Sequence, residues 1–227
     1  MDSRQAQQRL NDRGYQVAVD GAFGPKSYSA LMAFIGRKTL CETHIALGRA
    51  AARHFPRHQV DTAKRIADFL AQSSVETLGF TLLVENLNYR AERIRQVWPG
   101  RFPTVASAEP FAGNPAALAN KVYGGRFGNV NAGDGWKYRG RGTKQTTFHN
   151  NYAEVQRVTG LPVLANPDLL AEPDYGMLAG CIYWRERGCA ELADSGDFEA
   201  LTRRINGGVN GLADRKAARQ RATLILL

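Results

Sequence analysis

The sequence predicts a mainly α-helical protein, on three observations. Apolar or small residues recur at helical spacing, most plainly as Ala63, Ile66, Ala67, Leu70 and Ser74. There is no strand–helix–strand alternation and no long repeat. The stretch that resists a helix, 124–142, is dense in glycine, which favours loops with at most a short hairpin.

Each element rests on local signals. R-Q-A-Q-Q-R-L at 4–10 consists of good helix formers and is ended by Asn11 to Gly14. Asp20-Gly21 and Gly24-Pro25 are turn signals. A second short helix is expected from Ser27 to Ile35, with Ala30, Leu31 and Phe34 on one face, and Gly36-Arg37-Lys38 closes the unit. Roughly 40 residues make a marginal core, so this unit should lean on the larger remainder of the chain. From Thr43 onward the chain reads as one larger helical domain. Helices are expected over Thr43–His54, from a cap at Asp61 or Thr62 to Glu76, and over Asn114–Tyr123, Asn151–Thr159, Tyr175–Gly188, Phe198–Ile205 and Leu212–Leu226.

Composition excludes several classes. At 227 residues and 44% hydrophobic, the chain can bury a proper core and is not globally disordered. No apolar run approaches the roughly 20 residues of a membrane span. The opening M-D-S-R-Q-A-Q-Q-R-L lacks the apolar segment of a secretory signal, so a cytoplasmic origin without membrane insertion is expected. Cys41, Cys181 and Cys189 have no metal-ligand spacing and read as reduced, packed thiols. His54 and His58 are four apart, but Pro56 lies between them; no metal and no organic cofactor are expected. A net charge of +9 and a pI near 9.7 favour an acidic partner: nucleic acid, a membrane surface or an anionic wall polymer. The basic residues are spread along the chain, with no basic helix and no aromatic-and-basic RNA-binding pattern, which argues against nucleic acid.

Residues 73–89, S-S-V-E-T-L-G-F-T-L-L-V-E-N-L-N-Y, hold two acids in an otherwise apolar or uncharged run. An unbroken helix would place Glu76 and Glu85 about 13 Å apart along its axis, on opposite faces. Gly79 can end the helix in a left-handed cap and let 80–85 turn back. Two facing carboxyls then suit glycosidic-bond hydrolysis, one giving a proton and the other activating water. The competing reading is two ordinary surface glutamates beside a helix end.

Further blocks decide between these readings. Y-R-G-R-G-T-K-Q-T-T at 138–147 with Asn150-Asn151-Tyr152 resembles the Y-x-G-R-G-x-x-Q-x-S/T…N-Y signature of glycoside hydrolase family 19, which contains plant chitinases and bacteriophage endolysins. F-L-A-Q-S-S-V-E-T at 69–77 is similar to its first catalytic segment, and Ile205-Asn206-Gly207-Gly208 and Asp214-Arg215 to its later ones. Val75 stands where the family usually has histidine, which makes the Glu76 setting more apolar. E-N-L-N-Y at 85–89 and the run N-K-V-Y-G-G-R-F-G-N…G-D-G-W-K-Y-R-G-R-G at 120–142 resemble the endolysin branch. The resemblance implies a lysozyme-like, two-lobed helical catalytic domain over 41–227 and an inverting mechanism. It implies Glu76 as general acid, Glu85 as general base and Thr147 as a holder of the attacking water. Gln145, Asn151 and Asn206 would hydrogen-bond the sugar, and Arg215 would sit near Glu76. The loop aromatics Tyr123, Trp136 and Tyr138 are candidates for stacking on sugar rings, although each alone reads as core.

Residues 10–34, L-N-D-R-G-Y-Q-V-A-V-D-G-A-F-G-P-K-S-Y-S-A-L-M-A-F, resemble the peptidoglycan-binding type 1 domain. That makes 1–40 a small helical wall-binding module. The expectation is therefore a monomeric phage or prophage endolysin that collects in the host cytoplasm and cuts peptidoglycan glycan strands once it reaches the wall. A chitinase acting on GlcNAc polymers and a non-catalytic wall-binding protein are the alternatives.

Overall fold

The computed structural model describes residues 1–227 as helices, turns and loops. In chain order the helices are α1 (Ser3–Asn11), α2 (Pro25–Gly36), α3 (Glu42–His54), α4 (Ala63–Glu76), α5 (Ala91–Val97), α6 (Val105–Ala108), α7 (Pro115–Tyr123), α8 (Asp134–Lys137), α9 (His149–Thr159), α10 (Pro173–Glu186), α11 (Cys189–Ser195), α12 (Phe198–Asn206) and α13 (Leu212–Leu226). Extended pairing is confined to two isolated antiparallel bridges, Val84 with Arg141 and Arg141 with Thr146. No helix is long and apolar enough to cross a membrane.

The chain divides into two units. The first comprises Met1–Leu83, Gly142–Gln145 and Leu169–Leu227; the second comprises Val84–Arg141 and Thr146–Asp168.

In the first unit α4 is the central element. Thr62 caps it by accepting from the Arg65 amide at 3.2 Å. From Ile66 to Ser74 every residue of α4 is buried. The helix packs against α2, α11 and α13, while α3 lies against α2 and α10. Phe69 anchors this core between Phe55 and Trp184, with ring centroids 5.0 and 5.5 Å away. Leu10 of α1 and Leu31, Met32 and Ile35 of α2 are fully buried in the same cluster as Leu47, Leu70 and Ile225. Residues 1–40 thus share one core with α3, α4 and α13, as their small apolar content requires.

The second unit has its own cluster of Leu87, Ile94, Phe102, Leu118 and Val122, with Trp98, Phe111, Tyr123 and Trp136 packed against it. Its short helices α5, α6 and α8 have too few turns to show a period in the sequence. α8 falls inside the glycine-dense stretch that reads as loop. Gly135 explains it: a Cβ there would lie 2.5 Å from the Ala119 carbonyl oxygen, so glycine alone lets α8 approach α7. The helix expected over Tyr175–Gly188 is α10, which ends at Glu186; α11, which the sequence reading did not single out, follows from Gly188 at φ +60°.

α4 ends at Glu76, and the turn after it is built on Thr77. Its hydroxyl donates to the Ser73 carbonyl at 2.7 Å and accepts from the Phe80 amide at 3.0 Å. Leu78, Gly79 and Phe80 all have positive φ, so the left-handed turn spans three residues where Gly79 alone was expected. His44 Nε2 meets the Gly79 carbonyl at 3.0 Å and ties the turn to α3.

Candidate active site

Glu76 is the last residue of α4, its side chain 20% exposed. Its Oε1 accepts from Arg215 Nη2 at 2.5 Å. Arg215, on α13, is buried, and its Nη1 donates to Gln72 Oε1 at 2.8 Å. Gln72 Nε2 in turn donates to Thr202 Oγ1 at 2.8 Å, and that hydroxyl donates to the Phe198 carbonyl. A buried, satisfied chain thus runs from α12 through α4 and α13 to the Glu76 carboxylate, and it fixes the carboxylate's orientation. The more apolar setting expected from Val75 does not leave the Glu76 carboxylate without a polar partner. Phe69 and Leu70 turn into the core, and the partner the carboxylate meets is a guanidinium.

Glu85 lies one residue beyond the Val84 bridge, in the second unit, where its amide donates to the Gly140 carbonyl at 2.9 Å. Its carboxylate is gripped from both sides. Tyr123 donates its hydroxyl to Oε1 at 2.5 Å, and the Gly140 amide donates to Oε2 at 3.3 Å. Burial, followed by the Glu85 charge, pushes the Tyr123 hydroxyl far above its ordinary range, so it keeps its proton and remains a donor. Tyr123 therefore holds a carboxylate, where the sequence suggested a stacking platform.

Thr147 comes directly after the Arg141–Thr146 bridge and is half-buried; Asn151, in the first turn of α9, donates its amide to the Thr147 carbonyl at 2.7 Å. Asn151, expected on the sugar, gives one of its two amide N–H donors to the Thr147 loop. Tyr138 is corrected from stacking platform to core residue. It is 4% exposed, its ring packs against His149 and Tyr152, and its hydroxyl donates to the Leu164 carbonyl. Trp136 is half-buried, and the Arg139 guanidinium carbon lies 3.8 Å from its ring centroid, so that cation occupies one of its faces.

Gln145 and Asn206 belong to the first unit with Glu76 and Arg215. Gln145 adopts φ +49°, and its Nε2 donates to the Gly142 carbonyl at 3.2 Å. Asn206 ends α12, with Nδ2 3.5 Å from the Asn210 carbonyl, the carbonyl that also accepts from Arg215 Nε at 3.2 Å. Asn206 and Arg215 thus share the Asn210 carbonyl, and Arg215 goes on to Glu76. His54 has a structural partner, Nε2 lying 3.1 Å from Asp174 Oδ1.

Two carboxylate-orienting roles here were not read from the sequence. Gln72 had a signal, since it lies four residues before Glu76 in F-L-A-Q-S-S-V-E and so on the same helix face. The carboxylate grip of Tyr123 had none, because it joins positions 38 apart.

No family model matches the chain. A glycosyl hydrolase family 19 domain-containing protein of Haemophilus influenzae (strain ATCC 51907 / DSM 11121 / KW20 / Rd) is 39% identical over 151 residues, spanning 66% of this chain and 74% of that protein. Endochitinase At2g43610 of Arabidopsis thaliana is 30% identical over 161 residues, 70% of this chain but 45% of the endochitinase. Among solved structures, a bacterial family 19 chitinase superposes with a TM-score of 0.58 at 22% identity, covering 87% of this chain and 93% of that one. A class IV chitinase of the family from Zea mays gives 0.56 at 18% identity, covering 87% and 91%. These two establish that the helical fold is shared. The Haemophilus influenzae relative shows that the chain belongs to glycosyl hydrolase family 19 and is a chitinase-like glycosidase.

Proposed function

We propose that the chain is an endolysin that hydrolyses β-1,4 bonds in the glycan strands of bacterial peptidoglycan, by inversion. Glu76 gives a proton to the leaving oxygen, and Glu85 activates a water that Thr147 helps to hold. The observation that carries this reading is that each carboxylate is oriented by dedicated donors, Arg215 for Glu76 and Tyr123 with the Gly140 amide for Glu85. Such orientation is what positioned acid–base groups require and surface glutamates lack. Gln145, Asn206 and Trp136 supply polar and aromatic contacts to the sugar.

Three features favour peptidoglycan: the net charge of +9, which suits an anionic wall; the wall-binding resemblance of residues 10–34; and the lysin-like loop at 120–142. Host lysis by a phage or prophage product released from the cytoplasm belongs to the same reading. Chitin is the second reading, favoured by the chitinases among the relatives.

Purified sacculi and colloidal chitin, offered side by side, separate the two. Release of muropeptides that mass spectrometry resolves as glycan-cut fragments, with chitin untouched, supports the endolysin; the reverse preference supports the chitinase. Glu76→Gln and Glu85→Gln should each lower the rate by about 10²–10⁴-fold without unfolding the protein. The first product should be the α-anomer by proton NMR. A β-anomer, or an active Glu85→Gln protein, would sink the assignment.

A further inference from the structure

All three cysteines read from the sequence as packed thiols, and the structure corrects one of them. Cys181 and Cys189 are buried, whereas Cys41 is exposed. Cys41 is the N-cap of α3, a helix of 13 residues, and His44 lies in the first turn of that helix, fully buried. His44 Nδ1 is 3.0 Å from Cys41 Sγ and 3.3 Å from the Cys41 amide nitrogen. On the other side of the ring, Nε2 is 3.0 Å from the Gly79 carbonyl, in the turn that follows Glu76. A carbonyl only accepts, so Nε2 carries the proton of the neutral imidazole, and Nδ1 presents its lone pair to the thiol. Burial holds the imidazole below its ordinary range, in agreement with the neutral form. The Phe80 ring packs edge-on against the imidazole and helps to fix its plane. Cys41, His44 and Gly79 all belong to the first unit.

We propose that Cys41 and His44 form an activated thiol dyad, oriented by the Gly79 carbonyl, and that Cys41 is a covalent modification site for small disulfides. A nucleophile, a base within hydrogen-bond reach and a third group that orients the base are the parts such activation requires. A capping box alone would need only acceptors for two backbone amides, which serine supplies as well. In the reaction the S–H proton moves to Nδ1 as the Cys41 sulfur attacks one sulfur of the disulfide. A Cys41–S–S–R bond forms, the S–S bond of the reagent breaks, and the departing thiolate takes the proton from Nδ1. Cys41 is oxidised and the departing sulfur is reduced, so no further oxidant enters. The N-terminus of α3 favours the negative charge that develops on sulfur. Cys181 and Cys189 stay silent, since burial shields both and pushes both thiols up, Cys189 to about 11. The dyad lies outside the chemistry assigned to Glu76 and Glu85.

Dithiodipyridine, an uncharged disulfide with a coloured leaving group, tests this on the folded full-length chain at pH 7. One leaving group per chain should be released in a fast phase, with mass spectrometry placing the adduct on Cys41. The rate constant should exceed that of Cys41 in the urea-unfolded chain by about tenfold. Cys41→Ser, which keeps a capping hydroxyl, should lose the fast phase at unchanged Tm. His44→Gln removes the base but keeps hydrogen-bonding groups, and Gly79→Ala displaces the orienting carbonyl; each should bring the rate down to the unfolded value. A folded rate no higher than the unfolded one, a fast adduct on another cysteine, or full speed in either of these two variants overturns the dyad. The folded and unfolded parent decide it even where a variant fails to fold.

Discussion

At the scale of single residues, the two glutamates differ in how far the sequence exposes their surroundings. The Arg215 partner of Glu76 was legible because D-R at 214–215 belongs to a recognisable block. Tyr123 was legible only as an aromatic, since nothing within a helical turn of it points to Glu85. The 2.5 Å bond between them is charge-assisted, a class worth about 1.5–3 kcal/mol. Tyr123→Phe keeps the ring and its edge-on packing on Phe148 but loses that donor. It should lower kcat by about 10- to 100-fold while melting within a few degrees of the parent, as steady-state kinetics and calorimetry would show. Buried Lys144 gives a second prediction, on stability. Its folded-state value is about 7 against an ordinary 10.5, so between these limits the unfolded chain binds more protons than the native one. Stability should therefore rise with pH across this window, by up to about 1.4 kcal/mol per unit, and fall as pH drops toward 7. Urea melts of Lys144→Met at pH 7 and 9.5 should show that this slope has gone and that the variant is the more stable at pH 7.

At the scale of elements, long periodic helices were readable and short ones were not. α4, α12 and α13 announce themselves through apolar spacing, whereas α6 and α8, at four residues each, cannot establish a period. The turn after Glu76 was half readable. Gly79 signalled a left-handed residue, but Phe80 carries a steric cost there that only tertiary contacts justify. Those contacts are non-local: the Phe80 side chain is fully buried, and Gly79 meets Gly36, 43 positions earlier in the chain. A Cβ on Gly79 would sit 2.8 Å from the Gly36 carbonyl oxygen at φ +77°. Gly79→Ala should thus cost about 1–3 kcal/mol and lower Tm by roughly 2–12 °C for a chain of this size. Because this turn leads from Glu76 toward Glu85, kcat should fall as well. Melting and kinetics on the same preparation would reveal a variant in which neither moves, and that would remove the turn from any role in holding Glu76.

At the scale of the whole molecule, the helical class was legible because composition, periodicity and the absence of strand signals agree. That residues 1–40 lean on the rest was legible from their size; which faces they use was not, because motifs report ancestry and turn chemistry, while packing depends on which apolar faces find each other. Leu10, Leu31, Met32 and Ile35 lie in one cluster with Leu47, Leu70 and Ile225. Arg9 also donates to the Ile225 carbonyl at 3.0 Å, and Arg221 to the Ile35 carbonyl at 2.7 Å, so α1 and α2 are stitched to α13 by hydrogen bonds as well. Deleting residues 1–40 would bare the faces of α3, α4 and α13, and each large aliphatic side chain removed from such a core costs about 2–5 kcal/mol. That loss, summed over the four buried side chains, is comparable to the roughly 5–15 kcal/mol total stability of an ordinary domain. The truncated chain should therefore lack a cooperative thermal transition. Any contribution of the segment to wall binding must then be measured in the full-length protein. Surface substitutions at Arg13 or Lys26, which are exposed, suit that purpose. Sedimentation with purified sacculi should show weaker binding for Arg13→Glu with Lys26→Glu at unchanged Tm, if the segment carries a wall-binding face. Equal sedimentation at low and physiological salt would mean that the N-terminal helices serve the fold alone.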